Sequence, residues 1–279
     1  MTPEPEIFPP LPPSLTGDNL LTLPQQPVEP KPDSESGPGL VDATAFFTIA
    51  ICLMLAIQGG GAILALHWHL FGRETLKQIA LQPRFTIPVM ALSYGIIVGI
   101  ALLLFPRAWN RPFAEGVCWN VSTAIHNAGK LILAGAVLAA IIQLASNYLP
   151  VPKELPVDAF FRTPLDAWLV AIFGTFVAPA FEELAFRGFL YPALRRWTGM
   201  IIAAVLTSIP FALLHAQQLA HAASPLAMVF IVSLVLTAVR QRTGSVAASA
   251  LVHATYNLSI FLVVFSASNG FTHLERLKN

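Results

Sequence analysis

Three charged residues in an apolar stretch are the first sign of chemistry in this sequence. Glu182, Glu183 and Arg187 follow an uncharged apolar run over residues 167–181. A charged side chain at the centre of a bilayer costs about 2.5–3.5 kcal/mol on insertion scales, so these residues must pair or face water. Glu183 and Arg187 are four residues apart and can pair on one helix face, whereas Glu182 is turned about 100° away from Glu183. We therefore expect Glu182 to be the carboxylate that is free for chemistry.

Two further pairs with helical spacing follow on later apolar segments. Phe211 and His215 are four residues apart, and so are His253 and Asn257. Side chains at this spacing lie on the same face of a helix. If these faces and the one with Glu182 converge, they form a polar cavity that can activate water. In one alternative, a glutamate acts as general base and takes a proton from water. In the other, a metal ion held by histidine and carboxylate supplies the hydroxide nucleophile. In either case Asn257 could hydrogen-bond to a developing oxyanion.

Each of these features also has a purely structural explanation when it is considered alone. Glu183 and Arg187 can be a buried ion pair, and polar side chains of membrane helices often hydrogen-bond to a neighbouring helix. Two other functions therefore stay open: a proton-coupled transporter, because intramembrane Glu and His also build proton relays, and a non-catalytic scaffold. Against transport, the polar residues lie in one half of the chain, and no paired repeat of broken helices is visible.

The composition is that of a polytopic membrane protein. Of the 279 residues, 55% are hydrophobic and only 11% are charged, whereas soluble proteins carry about 25% charged residues. The net charge is +1 and the longest basic cluster is Arg195-Arg196, so we expect no nucleic-acid partner. The two cysteines indicate no disulfide framework.

The pattern of apolar runs predicts an all-α transmembrane helical bundle of about seven to eight spans. A span needs roughly 20 residues. The predicted spans are residues 43–67, 86–105, 129–148, 165–195, 200–217, 225–239 and 245–265, and an eighth stays open because 114–150 is ambiguous. The arginines that follow the spans ending at 195 and 239 put both of those ends on the cytoplasmic side.

Four parts of the chain follow from this pattern. Residues 1–42 are rich in proline and acidic residues, and we predict a disordered tail. Residues 43–150 are predicted to hold the N-terminal transmembrane helices and 151–266 the catalytic helical core. Residues 267–279 are predicted to be a short polar C-terminal tail.

Three spaced motifs carry a resemblance to a known family. They are Glu182-Glu183-x-x-x-Arg187, Phe211-x-x-x-His215 and His253-x-x-x-Asn257, in this order on consecutive apolar segments. They resemble the EExxxR, FxxxH and HxxxN motifs of the CAAX prenyl protease and bacteriocin-processing family, also called the Abi family of intramembrane proteases. The resemblance covers about residues 165–265, and nothing before residue 150 contributes to it.

The resemblance implies an intramembrane endopeptidase that acts on a membrane-associated peptide or protein. Glu182 would be the general base, His215 its partner in activating water, and His253 with Asn257 the stabilisers of the oxyanion. Glu183, Arg187 and Phe211 would support the site. The same residues are needed whether Glu182, His215 and His253 bind one zinc ion or act without a metal, so the cofactor stays open. A role in bacteriocin immunity also stays open. The expected partners are membrane lipids and the substrate, and the expected location is the bacterial cell inner membrane.

Overall fold

The fold consists of helices joined by short connections. A computed structural model describes residues 37–150, 152 and 155–275, and these residues contain no strand, which confirms the predicted all-α class. Residues 1–36 of the predicted tail and residues 276–279 lie outside the described residues. The long helices are α1 (Leu40–His67), α3 (Pro83–Trp109), α6 (Ala128–Ser146), α9 (Tyr191–Leu214), α10 (Ala223–Thr243) and α11 (Val246–Ala267). The shorter α-helices are α2 (Leu76–Ala80), α4 (Phe113–Gly116), α5 (Val121–His126), α7 (Pro164–Ile172) and α8 (Ala178–Glu183).

Six helical stretches of the described chain are long and apolar enough to cross a membrane. The predicted count of seven differs because one stretch, Pro164–Leu214, is 51 residues long and covers two of the predicted spans. This stretch is interrupted at Gly199, whose φ of 77° and ψ of 179° are not helical. Glycine adopts a positive φ without steric cost, so the sequence permits a break at this position. The two halves of the stretch therefore account for the seventh predicted span.

The ambiguous region before residue 150 contains one span with two short helices ahead of it. These are α4 and α5, and α6 then forms the span. The Asn120 side chain accepts a hydrogen bond from the backbone N–H of Thr123 and thereby caps α5. A capped start of this kind favours a separate short helix over a continuation of the span. The eighth span that the sequence left open is not among the described helices.

Two π-helical stretches interrupt the segment that carries the glutamates. They are Phe173–Val177 and Leu184–Leu190, and Pro179 and Pro192 follow them closely. After each stretch an N–H bonds to a carbonyl five residues back instead of four. A proline inside a helix cannot donate the usual bond, and its ring clashes with the carbonyl four residues earlier. The helix therefore widens ahead of each proline, as is common near functional sites.

Helix ends rich in arginine meet at one end of the bundle, which we call the basic end. It is defined by Arg195, Arg196, Arg240 and Arg242. Gln241 Nε2 near the end of α10 lies 2.6 Å from Tyr191 Oη at the start of α9, so the arginines of the two helices lie at the same level of the bundle. The start of α1 is also there, because Gly39 packs against the Arg196 guanidinium.

Aromatic side chains form the main core between α1, α3 and the second π-helical stretch. The rings of Phe46 and Phe189 stack with their centroids 4.2 Å apart, and both are almost fully buried. A smaller cluster lies at the C-terminus, where Phe271 is buried against Trp168 and Phe265. The segment that we predicted to be a short polar tail therefore contributes one aromatic residue to the core.

Close packing of α6 on α11 depends on Gly135. A Cβ at this position would lie 2.6 Å from the carbonyl oxygen of Val252 and 2.8 Å from the Thr255 Cβ. We expect Gly135→Ala to lower the free energy of unfolding by about 1–3 kcal/mol, because the helices must separate to admit the methyl group. Thermal unfolding in detergent measures the change. Gly129→Ala on the same helix is the control, since nothing lies within 4 Å of its Cβ position; equal melting temperatures for the two variants would contradict the expectation.

Candidate active site

A cavity of about 310 Å³ lies among the helices of the C-terminal half. The four residues predicted to be catalytic all line it, together with Phe211: Glu182, His215, His253 and Asn257. The cavity extends away from the basic end, towards Phe160 and Gln218 on two of the connections. The three helical segments that carry the motifs thus converge on one space.

Glu183 and Arg187 form an ion pair in which both side chains are fully buried. Arg187 Nη1 donates to Glu183 Oε1 at 2.8 Å, as the spacing of the two residues predicts. Arg187 also reaches α10, where Nη2 donates to the carbonyl and the hydroxyl of Ser233 and Nε to the hydroxyl of Thr237. A buried charge is costly unless it is paired and hydrogen-bonded, and this arginine meets both conditions. The pair therefore fixes the glutamate-bearing segment against α10.

His253 lies between the two glutamates. Its Nδ1 is 3.0 Å from Glu183 Oε1, so Nδ1–H donates to that carboxylate. Its Nε2 is 3.8 Å from Glu182 Oε2, which is too long for a direct hydrogen bond. Glu182 itself has no hydrogen bond to the described residues. Glu183 thus orients the imidazole, and Glu182 stays available, as the sequence predicts.

The end of α9 sets the orientation of His215. The backbone N–H of His215 bonds to the carbonyl of Ala212, three residues back, so the carbonyl of Phe211 lacks its usual helical donor. His215 Nδ1 lies 2.9 Å from that Phe211 oxygen and can donate to it. A neutral imidazole with its proton on Nδ1 has a lone pair on Nε2. His215 can therefore accept a proton or a hydrogen bond from water at Nε2.

Phe211 separates the buried ion pair from the cavity. The centroid of its ring is 4.7 Å from Arg187 Cζ, 5.2 Å from the His215 ring and 5.9 Å from the His253 ring. The ring face attracts the guanidinium, and its edge limits the space open to the imidazoles. Phe211 thus supports the site through packing.

Asn257 is tied to the first π-helical stretch. Its Nδ2 donates to the carbonyl of Gly174 at 2.7 Å. In a π turn, that carbonyl would accept from the residue five positions later, which is Pro179 and has no N–H. Asn257 therefore satisfies a carbonyl that the proline leaves unpaired. The second N–H of the amide remains for another acceptor.

The comparison with protein families matches the same region. A family model described as Type II CAAX prenyl endopeptidase Rce1-like matches residues 164–259. Residues 164–259 form an Rce1-like domain. Comparisons with curated proteins and with solved structures find no match. The Rce1-like domain contains every residue of the three motifs, and its family is consistent with the CAAX protease family that the motifs indicate.

Several residues of the Rce1-like site were not singled out by sequence reasoning. Ser233 and Thr237 bind Arg187, and their spacing of four residues on an apolar helix is a signal that could have identified them. Gly174 could have been inferred from Pro179 five residues later. Tyr94 of α3 lines the cavity and stacks on Phe181 at a centroid distance of 3.7 Å. A single tyrosine in an apolar span carries no such signal.

The described side chains of the Rce1-like domain do not form a metal-binding cluster. Among the residues that the structure describes, no three His, Cys, Asp or Glu side chains are grouped closely enough to hold a metal ion. Glu182 and His253 are neighbours, but His215 does not join them as a third ligand. The arrangement therefore does not fit the zinc ion suggested for these three residues.

Proposed function

We propose that the protein is an intramembrane endopeptidase that hydrolyses a peptide bond with water activated by Glu182. The observation that carries the proposal is that Glu182, His215 and His253 line one cavity, with Glu182 Oε2 3.8 Å from His253 Nε2. The Rce1-like match supports a protease of the membrane. The mechanism assigned to each residue is our proposal.

Water attack begins between Glu182 and the imidazoles. Glu182 takes one proton from the water while the oxygen adds to the carbonyl carbon of the scissile amide. His215 accepts a hydrogen bond from the water at Nε2 and orients it. The tetrahedral intermediate then loses its C–N bond, and the leaving amine receives the proton from Glu182. The carbonyl group returns as the new carboxyl group, so atoms and charge balance.

The developing oxyanion needs hydrogen-bond donors that are already in position. Asn257 supplies the N–H that is not used on Gly174. His253 is the second donor that we propose, because its Nδ1–H is held by Glu183 and its Nε2 faces the cavity. These two residues lie on one helix face, four residues apart, and can act on the same oxygen.

The substrate that we propose is a membrane-associated peptide with an attached or adjacent apolar chain. A second cavity, of about 580 Å³, lies beside the site and is lined almost entirely by apolar side chains. Tyr94 lines both cavities, so a chain bound in the second would place the peptide next to Glu182. The six apolar helical stretches indicate an integral membrane protein. We further propose the bacterial cell inner membrane as its location.

Cleavage of a peptide by the purified protein in liposomes tests this proposal. We expect the full-length chain to cleave a prenylated, membrane-bound peptide, and we expect His215→Ala to reduce the rate by about 10²–10⁴-fold because water loses its second contact. Glu115→Gln, which changes an exposed residue, is the control. If the protein cleaves no peptide but carries ions across the membrane, and His215→Ala stops this flux, the protein would be a transporter. If His215→Ala retains normal biological function in cells, the protein would be a scaffold.

The same assay decides the metal question. Activity is measured before and after treatment with a chelator, and the metal content of active protein is determined. Full activity in metal-free protein would exclude a zinc-dependent mechanism. If the chelator abolishes activity and added zinc restores it, Glu182, His215 and His253 would have to move together when the ion binds.

A further inference from the structure

Arg240 is a buried cation without an ion-pair partner among the residues that the structure describes. It lies in the last turn of α10, and only 5% of its surface is exposed. Its Nε is buried without a hydrogen-bond partner. Arginine is almost never fully buried unless it is paired, because removing the charge from water is costly. A buried, unpartnered guanidinium therefore indicates that an anion belongs beside it.

Two other polar residues at the basic end, Tyr191 and Arg195, belong to the same electrostatic cluster as Arg240. Tyr191 is 2% exposed, and its oxygen accepts a hydrogen bond from Gln241 Nε2 at 2.6 Å. The Tyr191 proton is therefore free to donate to a further group. Arg195, one turn later on α9, is half-buried, and both arginines interact electrostatically with the Tyr191 hydroxyl. In the described part of the chain, neither arginine forms an ion pair with a carboxylate.

We propose that Tyr191, Arg195 and Arg240 bind a phosphate group at the basic end of the bundle. Guanidinium groups match the oxygens of phosphate with two parallel hydrogen bonds, and a hydroxyl donor adds a third contact. Gln241 holds the tyrosine in the orientation that directs its proton to the anion. The anion would neutralise two cations that no acidic side chain neutralises in the described residues.

This phosphate site is separate from the proposed active site. Tyr191, Arg195 and Arg240 do not line the cavity that holds Glu182. The ion pair of Arg187 with Glu183 lies about one to two turns deeper along the same helix and is fully buried. The cavity also extends towards the opposite end of the bundle. The headgroup of an anionic phospholipid is one source of the phosphate at a helix end, and a soluble phosphate is another.

Melting temperatures of the full-length protein in a neutral detergent test the proposal and separate the two sources. One series adds phosphatidylglycerol or phosphatidylcholine, and a second adds inorganic phosphate or chloride at equal ionic strength. We expect phosphatidylglycerol to raise the Tm by at least about 2 °C over phosphatidylcholine, because the ligand binds the folded state. An equal rise with inorganic phosphate would identify the soluble anion as the ligand of the same site.

Two matched pairs of variants make the test specific to the site. Arg240→Gln should abolish the Tm rise, whereas Arg242→Gln, which removes an exposed arginine from the same helix end, should retain it. The second pair lies on α9: Arg195→Gln should abolish the Tm rise, and Arg196→Gln, which changes an exposed arginine, should retain it. This pair tests the proposal if Arg240→Gln does not fold. The proposal is overturned if neither anion raises the Tm of the native protein. It is also overturned if the buried and exposed variants lose the rise equally.

Discussion

Glu182→Gln is expected to lower the rate of peptide cleavage by about 10²–10⁴-fold while leaving the fold intact. The substitution keeps the size of the side chain but removes the group that takes the proton from water. Its effect on stability should be small, because the Glu182 side chain is 20% exposed and has no hydrogen bond to the described residues. Initial rates with a membrane-bound peptide, together with the Tm of the same preparation, measure the two effects.

A matched substitution separates this chemical effect from a loss of charge. Glu115→Gln also neutralises a glutamate, but at an exposed position in α4, and should leave the rate unchanged. If Glu182→Gln retained more than a tenth of the native rate, Glu182 would not be the general base.

Arg187→Met is expected to give the largest loss of stability, about 3–5 kcal/mol in the free energy of unfolding. The substitution keeps the apolar stem of the side chain but leaves Glu183 without its guanidinium partner at a position with no exposure to solvent. It also removes the donors to the Ser233 carbonyl and hydroxyl and to the Thr237 hydroxyl. Denaturant unfolding in mixed micelles measures the change. A free energy of unfolding within about 1 kcal/mol of the native value would contradict this account.

The double variant Glu183→Gln with Arg187→Met tests whether the unpaired charge causes the loss. With both charges removed, no isolated carboxylate remains buried, so part of the stability should return. Peptide cleavage should not return, because the carboxylate that orients His253 is absent. A double variant less stable than Arg187→Met would assign the loss to missing hydrogen bonds instead.

The spacing of the polar residues was sufficient to predict which side chains share a helix face, whereas their convergence on one cavity was an expectation that rested on the family resemblance. Residues four apart on a helix share a face, and an apolar helix has few other reasons to turn a charged face inward. This argument predicted the pair of Glu183 with Arg187, and the structure confirms that ion pair. It also left Glu182 without a partner on its own helix, which agrees with its half-buried position beside His253.

Contacts between segments could not be predicted in the same way. His253 bonds to Glu183 and faces Glu182. Both contacts depend on the rotation of α11 about its axis and on its position along the bundle, which the spacing of residues within α11 does not determine. The π-helical stretches rotate the residues that follow them, so a regular period of 3.6 residues does not fix how the face with Glu183 and Arg187 is turned relative to the residues before Phe173. Gly199 breaks the helical run between the two spans that the sequence predicts, but the angle of that break is not in the sequence. The positions of glycine and proline indicate where a helix can break or widen, but they do not predict the resulting geometry.

The break at Gly199 also sets how deep His215 lies in the bilayer. From the break at the basic end, residues 200–214 reach about 22 Å at 1.5 Å per residue, whereas the hydrocarbon layer is about 30 Å thick. His215 follows directly, so it lies about 8 Å short of the opposite headgroup layer, or the bilayer thins locally to meet it. In either case the shortest route for solvent to His215 passes over the end of this short helix, from the leaflet opposite the arginines.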